Sequence, residues 1–382
     1  MHKLSFGQTV WTGTGCIAKI ADETEKFNAK QVMIYTDHGV IKAGLLDKVI
    51  AILERINVKY DVYTEIRPEP PLEVGNRAIE ALRGKPYDLV IGLGGGSAID
   101  VAKACAVMYT HEGSLEDYLF HTGTKKIVNR GLPMIMIPTT AGTGSEATNV
   151  SVFSLETSKD VIAHDYLLPD VAVVDPELTY NLPPAITAAT GIDAFTHAIE
   201  AYTSKLANPI SDTLAIRAME LTSANVRQAV WEGNKEAREA MSLGSLLAGM
   251  AFQSAGVCGV HALAYPIGGR FHVPHGASNA VMLPHVMRFI YPATLPKMGI
   301  VAEILKEPVE RLSPRDRALA VVEAITNMVV DVGLPLHLGA YGITSDDVDV
   351  LVSDGVKQKR LLVRSPRPMS ADDIRELYTS AL

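Results

Sequence analysis

The chain has 382 residues, of which 47% are hydrophobic and 20% charged, a globular composition with length enough for two cores. Its formal net charge is −8 and its basic residues are dispersed, which argues against nucleic acid or an anionic membrane as the main partner. Three cysteines, Cys16, Cys105 and Cys258, form no paired pattern, which fits a reducing compartment and a cytoplasmic protein.

The opening stretch MHKLSFGQTVWTGTG lacks the apolar core of a secretory signal. After it, β-like runs alternate with helical ones. QVMIYTD (31–37), VKYDVYT (58–64), DLVIGLG (88–94) and LPMIMIPTT (132–140) read as strands. A helix is expected from about residue 39 to 56, another over 72–82, and a third in SAIDVAKACAVMY. NVSVFSL and VAVVD add further β-like runs. Alternation of this kind predicts a mostly parallel sheet covered on both faces.

Two loops in this half carry phosphate-binding signals. GLGGGSAID (92–100) follows a strand and opens a helix, so that backbone N–H groups of Gly95, Gly96 and Ser97 can approach a diphosphate. Ser97 and Asp100 also have capping-box spacing. IPTTAGTGSEAT (137–148) follows another strand and places five hydroxyls, among them Thr139, Thr140, Thr143 and Thr148, beside two glycines. Two such loops at the ends of strands of one sheet are best explained by a shared nucleotide. Asp37 ends the first apolar strand, where a carboxylate accepts from ribose hydroxyls and repels a 2′-phosphate. NAD is therefore expected over NADP.

Beyond Pro183-Pro184 the strand pattern stops. Residues 181–382 read as an all-helical domain after a Rossmann-like α/β domain over 1–180, with helix starts such as Thr344-Ser-Asp-Asp347 and Ser370-Ala-Asp-Asp373. Residues 240–269 hold no charged side chain. Their content of Gly, Ala and Ser points to closely packed buried helices and not to a membrane span.

In GIDAFTHAIEAYTS (191–204), Asp193 and His197 sit four apart and share a helix face. GVHALAYPIGGRFHVPHGASNA (259–280) brings His261, His272 and His275. One carboxylate with two or three imidazoles suits Fe²⁺ or Zn²⁺, whereas a salt-bridged Asp193–His197 pair would account for the first helix alone.

GGGSAID, PTTAGTGSE, DPELTYNLPPAITAATGIDAFTHAIEAY, HALAYPIGGRFHVPHGASNA and SPRPMSADDIRELY together resemble the iron-containing (group III) alcohol dehydrogenases over essentially the whole chain. The resemblance implies a dehydroquinate synthase-like fold with the active site between the two domains. It places the metal ligands on Asp193, His197, His261 and His275, leaving His272 outside the set. It places cofactor contacts on Asp37, Gly95, Gly96, Ser97, Thr139, Thr140, Thr143 and Thr148, with Lys159 near the cofactor. Dimers or larger homo-oligomers are common in similar proteins.

Two positions depart from the family pattern. Tyr265 stands where many members have a proton-relaying histidine, and Pro68-Glu69-Pro70-Pro71 replaces Pro-Asn-Pro-Thr. A phenol with a reference pKa of about 10 is a poor relay. Tyr265, His272 and water are the relay candidates, and water with a ribose hydroxyl is the expected route. The resemblance implies interconversion of small primary alcohols or diols and aldehydes by hydride transfer with NAD. The alternative on the same fold is a hydroxyacid–oxoacid transhydrogenase or related reductase. Phe252 is expected to face the substrate.

Overall fold

Strands buried on both faces show continuous apolar runs, and the runs at 89–94 and 134–138 bury every side chain. In the computed structural model, which describes residues 7–308 and 310–382, these runs form the centre of a six-stranded sheet. The first six residues of the opening stretch lie outside the described part. The strands in chain order are β1 (Thr9–Thr12), β2 (Gln31–Tyr35), β3 (Lys59–Tyr63), β4 (Leu89–Gly94), β5 (Met134–Pro138), β6 (Val150–Ser154), β7 (Lys159–Ala163) and β8 (Val171–Val174). The main sheet runs β1-β8-β5-β4-β2-β3 and every pairing in it is parallel. Helices α1 (Lys19–Lys26), α2 (His38–Lys42), α3 (Leu45–Arg55), α4 (Leu72–Leu82) and α5 (Gly96–Met108) accompany the sheet.

The strand order reverses at β2, which has β3 on one side and β4 on the other. A crevice outside the carboxyl ends of strands at such a reversal is where open α/β sheets bind ligands. Asp37 follows β2 and Gly95 follows β4, so both predicted cofactor elements open into it.

Some details differ from the sequence reading. The helix expected over 39–56 is two helices, α2 and α3, broken at Gly44 with φ 68°. β1 and β7 carry no clear alternating signal, since β1 has four residues and β7 begins with Lys159 and Asp160. β6 leaves the main sheet and pairs antiparallel with β7 in a separate ribbon. The expected capping box of α5 does not form either, because Gly95 is the N-cap and no side chain caps it.

Asp100 has a different task. Val152 N donates to its Oδ2 at 3.0 Å, Ser145 Oγ bonds its Oδ1, and Lys103 Nζ stands 3.3 Å away. Lys103 is fully buried and donates to Ser145 O at 2.9 Å, to Thr148 Oγ1 at 3.0 Å and to Val150 O. One buried ammonium thereby fixes the hydroxyl-rich loop and the start of β6 onto α5.

The second half is helical: α6 (Pro184–Thr203), α7 (Pro209–Trp231), α8 (Lys235–Ala255), α9 (Gly259–Phe271), α10 (His275–Ile290), α11 (Leu295–Ile304), α12 (Pro314–Asp331), α13 (Val348–Gly355), α14 (Lys359–Leu362) and α15 (Ala371–Ser380). Pro184 opens α6 at a position where its missing N–H costs nothing. Both predicted capping boxes form, Thr344 with Asp347 and Ser370 with Asp373. The uncharged 240–269 stretch is most of α8 and α9, bent by 105° and largely buried in the helical core. Among the described residues no single helix is long and apolar enough to cross a membrane.

Replacing Lys103 by methionine leaves Asp100 and three acceptors buried without their cation. Lys103→Met is expected to lower unfolding stability by about 3–5 kcal/mol, whereas a loss under about 1 kcal/mol in urea titrations would contradict this role.

Candidate metal centre and cofactor cleft

α6 is apolar almost all round, so a carboxylate on it must find compensation inside the protein. Asp193 and His197, one turn apart on α6, meet His261 from α9 and His275 at the first position of α10. Each offers one ligand atom, and these atoms all lie within 4.8 Å of one another. Asp193, His197 and His261 are buried, and His275 is half-buried.

The donor set fits a divalent cation. Asp193 Oδ1, His261 Nε2 and His275 Nε2 stand 2.6, 3.1 and 3.3 Å from a single amide nitrogen, Asn279 Nδ2. That amide has two hydrogens for three acceptors, and its own Oδ1 is buried without a partner. Burial pushes the His197 imidazole down to about 4 and His275 well below its ordinary range. As neutral imidazoles these two rings do not offset the charge of the Asp193 carboxylate, and each keeps a lone pair for a metal.

Partners outside the cluster fix the ring orientations. His261 Nδ1 donates to Glu200 Oε2 at 2.6 Å, and the other oxygen of Glu200 accepts from Val260 N at 2.7 Å. His197 Nδ1 donates to the carbonyl of Gly142 at 3.1 Å, so the hydroxyl-rich loop of the first domain orients a ring of the second. In both rings the proton sits on Nδ1 and Nε2 turns towards the cluster, which is how outer partners set metal-ligating histidines. The ring of Phe252 stacks on His197 at 4.5 Å, giving the cluster an apolar side.

A cleft of about 1460 Å³ joins this cluster to the sheet. Asp37, Gly95, Gly96, Ser97, Thr139, Thr140, Thr143, Thr148 and Lys159 all line it, together with the four metal-site residues and Tyr265. Gly96 approaches Thr143 so closely that a Cβ there would come within 2.7 Å of its methyl. Asp37 caps α2 through Oδ1, accepting from Gly39 N at 2.7 Å and Val40 N at 3.0 Å. The Thr148 hydroxyl is already engaged by Lys103.

Two predicted positions behave differently from their neighbours. Tyr265 is buried, with its ring 5.9 Å from His275 and Lys159 Nζ 5.8 Å from its centroid, and burial raises its phenol above the ordinary range. His272 is not brought to the site. It is exposed, does not line the cleft, and ends α9 in the left-handed region at φ 55°. A proton-relay role for His272 is therefore not supported by its position.

The chain matches the family model described as iron-containing alcohol dehydrogenase over residues 7–176, and that of the Fe-containing alcohol dehydrogenase family, C-terminal, over 187–382. The chain belongs to the iron-containing alcohol dehydrogenase family. It is 50% identical over 370 residues to long-chain-alcohol dehydrogenase 1 of Geobacillus thermodenitrificans, covering 97% of this chain and 94% of that protein. A crystal structure of 1,3-propanediol oxidoreductase superposes with a TM-score of 0.95 at 35% identity, with both chains covered completely. The sulfoacetaldehyde reductase of Bifidobacterium kashiwanohense, solved in complex with NAD⁺, gives 0.88 at 30% identity, covering 100% of this chain and 98% of that one.

As a member of the iron-containing alcohol dehydrogenases, this chain ties its two domains together through a residue that departs from the family pattern. Glu69 sits in the left-handed region at φ 54°. Its N–H donates to Ser97 Oγ at 3.2 Å, its Oε1 accepts from His275 N at 3.2 Å, and its Oε2 pairs with Lys159 Nζ.

The sequence reading missed Glu200, Asn279 and Lys103. Glu200 had a legible signal, since Asp193, His197 and Glu200 follow the i, i+4, i+7 spacing of one helix face. Glu200→Gln is expected to weaken metal binding by about tenfold to a hundredfold without unfolding the protein. Equilibrium competition with a chromogenic chelator measures this, and an unchanged affinity would contradict the orienting role.

Proposed function

We propose that this chain is an NAD-dependent, iron-loaded alcohol dehydrogenase that interconverts small primary alcohols or diols and their aldehydes. The carrying observation is that one carboxylate and three imidazoles converge on the same cleft as the glycine loop after β4. The names of the relatives support the reaction, since they include a long-chain-alcohol dehydrogenase, a 1,3-propanediol oxidoreductase and a sulfoacetaldehyde reductase. The NAD⁺ in the last structure and the carboxylate after β2 support NAD as the nicotinamide cofactor.

A cation held by Asp193, His197, His261 and His275 would supply Lewis acidity towards the oxygen of an alcohol or aldehyde. The chain's own groups do the rest. Gly95, Gly96 and Ser97 stand at the start of α5, where backbone amides and the helix dipole favour a diphosphate. Phe252, stacked on His197, helps exclude water from the reacting carbon. Burial holds Tyr265 in its protonated form, so its Oη serves as a donor to substrate and not as the base. Water would then carry the alcohol proton away.

Protein reconstituted anaerobically with Fe²⁺ is expected to reduce NAD over many turnovers with short primary alcohols, followed by the absorbance of the reduced nicotinamide. His261→Ala is expected to lower turnover by about a hundredfold or more while NAD binding persists. Undiminished turnover in that variant would contradict the assignment.

A further inference from the structure

The cleft contains two positive groups that neither the metal site nor the glycine loop uses. Arg360 lies in α14 and Arg364 follows four positions later, where Arg364 N donates to Leu361 O at 3.1 Å and continues the turn. Both side chains line the cleft. Arg360 Nε is buried with no hydrogen-bond partner, and among the described residues no carboxylate pairs with either guanidinium. Burial, reinforced by the neighbouring Arg360 charge, pulls the Arg364 guanidinium below its ordinary range. Gly256 leaves the space, because a Cβ there would collide with the Arg364 guanidinium.

Two adjacent half-buried cations repel each other, and the Phe120 ring that the Arg360 guanidinium faces at 5.8 Å brings no negative charge, a combination that favours an anion. The protein does not supply one. Asp100 and Glu69 are committed to Lys103 and Lys159, and Asp193 belongs to the metal site. Nor does overall basicity explain the pair, since the formal net charge is −8.

The ground between the arginines and the metal-site histidines is apolar. Leu361, next to Arg360, packs with Val257 and Tyr265, and Phe252 continues this cluster to the His197 ring. A ligand spanning that ground has a reactive oxygen at one end, a short aliphatic middle and an anionic group at the other.

We infer that Arg360 and Arg364 form an oxyanion subsite, so that the substrate of this cleft is a short aldehyde or alcohol bearing a carboxylate or sulfonate at its far end. This rests on the alcohol dehydrogenase reading for the reacting end and on the arginine pair for the other. A planar guanidinium fork matches either oxyanion, and each bond to a charged group adds to affinity.

Two measurements test the inference separately from the reaction. In the first, metal-free protein with NAD is titrated calorimetrically with glutarate and with propane-1-sulfonate, using pentan-1-ol as the neutral control. Saturable binding of at least one anion, weakened about tenfold to a hundredfold in Arg360→Met and in Arg364→Met, is expected. In the second, iron-loaded enzyme with NADH is given pentanal, its ω-carboxylated counterpart and an ω-sulfonated aldehyde of equal length. The kcat/KM ratio of anionic to neutral aldehyde is expected to exceed one, and to fall about tenfold to a hundredfold in each variant. Preference between the two anions then distinguishes carboxylate from sulfonate. Arg360→Lys, which keeps the charge and loses the fork, separates recognition from a folding defect. Failure of every aldehyde to react, with anion binding intact, would overturn the reaction and leave the subsite standing. Absence of anion binding by wild-type protein, or a selectivity ratio unmoved in both variants, would overturn the subsite.

Discussion

Asp193 carries a carboxylate into a wall of helices where its nearest neighbours are three imidazoles and an amide. Burial drives His197 and His275 towards their neutral forms, so those rings do not offset the charge. An isolated buried carboxylate is costly enough that a protein avoids it or supplies a cation. The arrangement of α6, α9 and α10 makes sense as a response to that constraint. Each helix delivers a donor to one point, and Glu200 and the Gly142 carbonyl hold two of the rings with Nε2 turned inward.

The same constraint explains how the two domains depend on each other. The hydroxyl-rich loop that lines the cleft also orients His197 through Gly142. Glu69 bonds Ser97 of the glycine loop with its N–H, while its carboxylate receives the first N–H of α10 and the Lys159 ammonium. Lys103 and Asp100, buried beneath, keep the hydroxyl-rich loop in register with α5. The glycine loop, the hydroxyl-rich loop and the four-residue cluster are thus parts of one hydrogen-bonded structure.

Much of this was legible in the sequence. Continuous apolar runs announced β2, β4 and β5, the glycines marked the turn into α5, and the spacing of Asp193 and His197 marked one helix face. Convergence was not legible from spacing alone, since His261 and His275 lie on other helices, and it was the family resemblance that singled them out from His272. The left-handed end of α9 turns His272 out to solvent, a backbone event that histidine spacing does not encode. Partners outside the ligand set were hidden for a related reason. Lys103 reads as an ordinary polar residue of a helix until the second layer over it is known, and Glu69 reads as a disrupted cofactor contact until α10 is seen to start on it. The arginines of the cleft look like surface charges of a short helix. Only their half-buried place in the cleft and the lack of acceptors separate them from the rest.

The account stands on one cation shared by the four side chains. Anomalous diffraction from crystals loaded with Fe²⁺ tests it most directly. The predicted result is a single strong peak per chain, bound by one oxygen of Asp193 and by Nε2 of His197, His261 and His275 at about 2.0–2.2 Å. A chain that takes up no cation there, or binds it through other donors, would contradict the account.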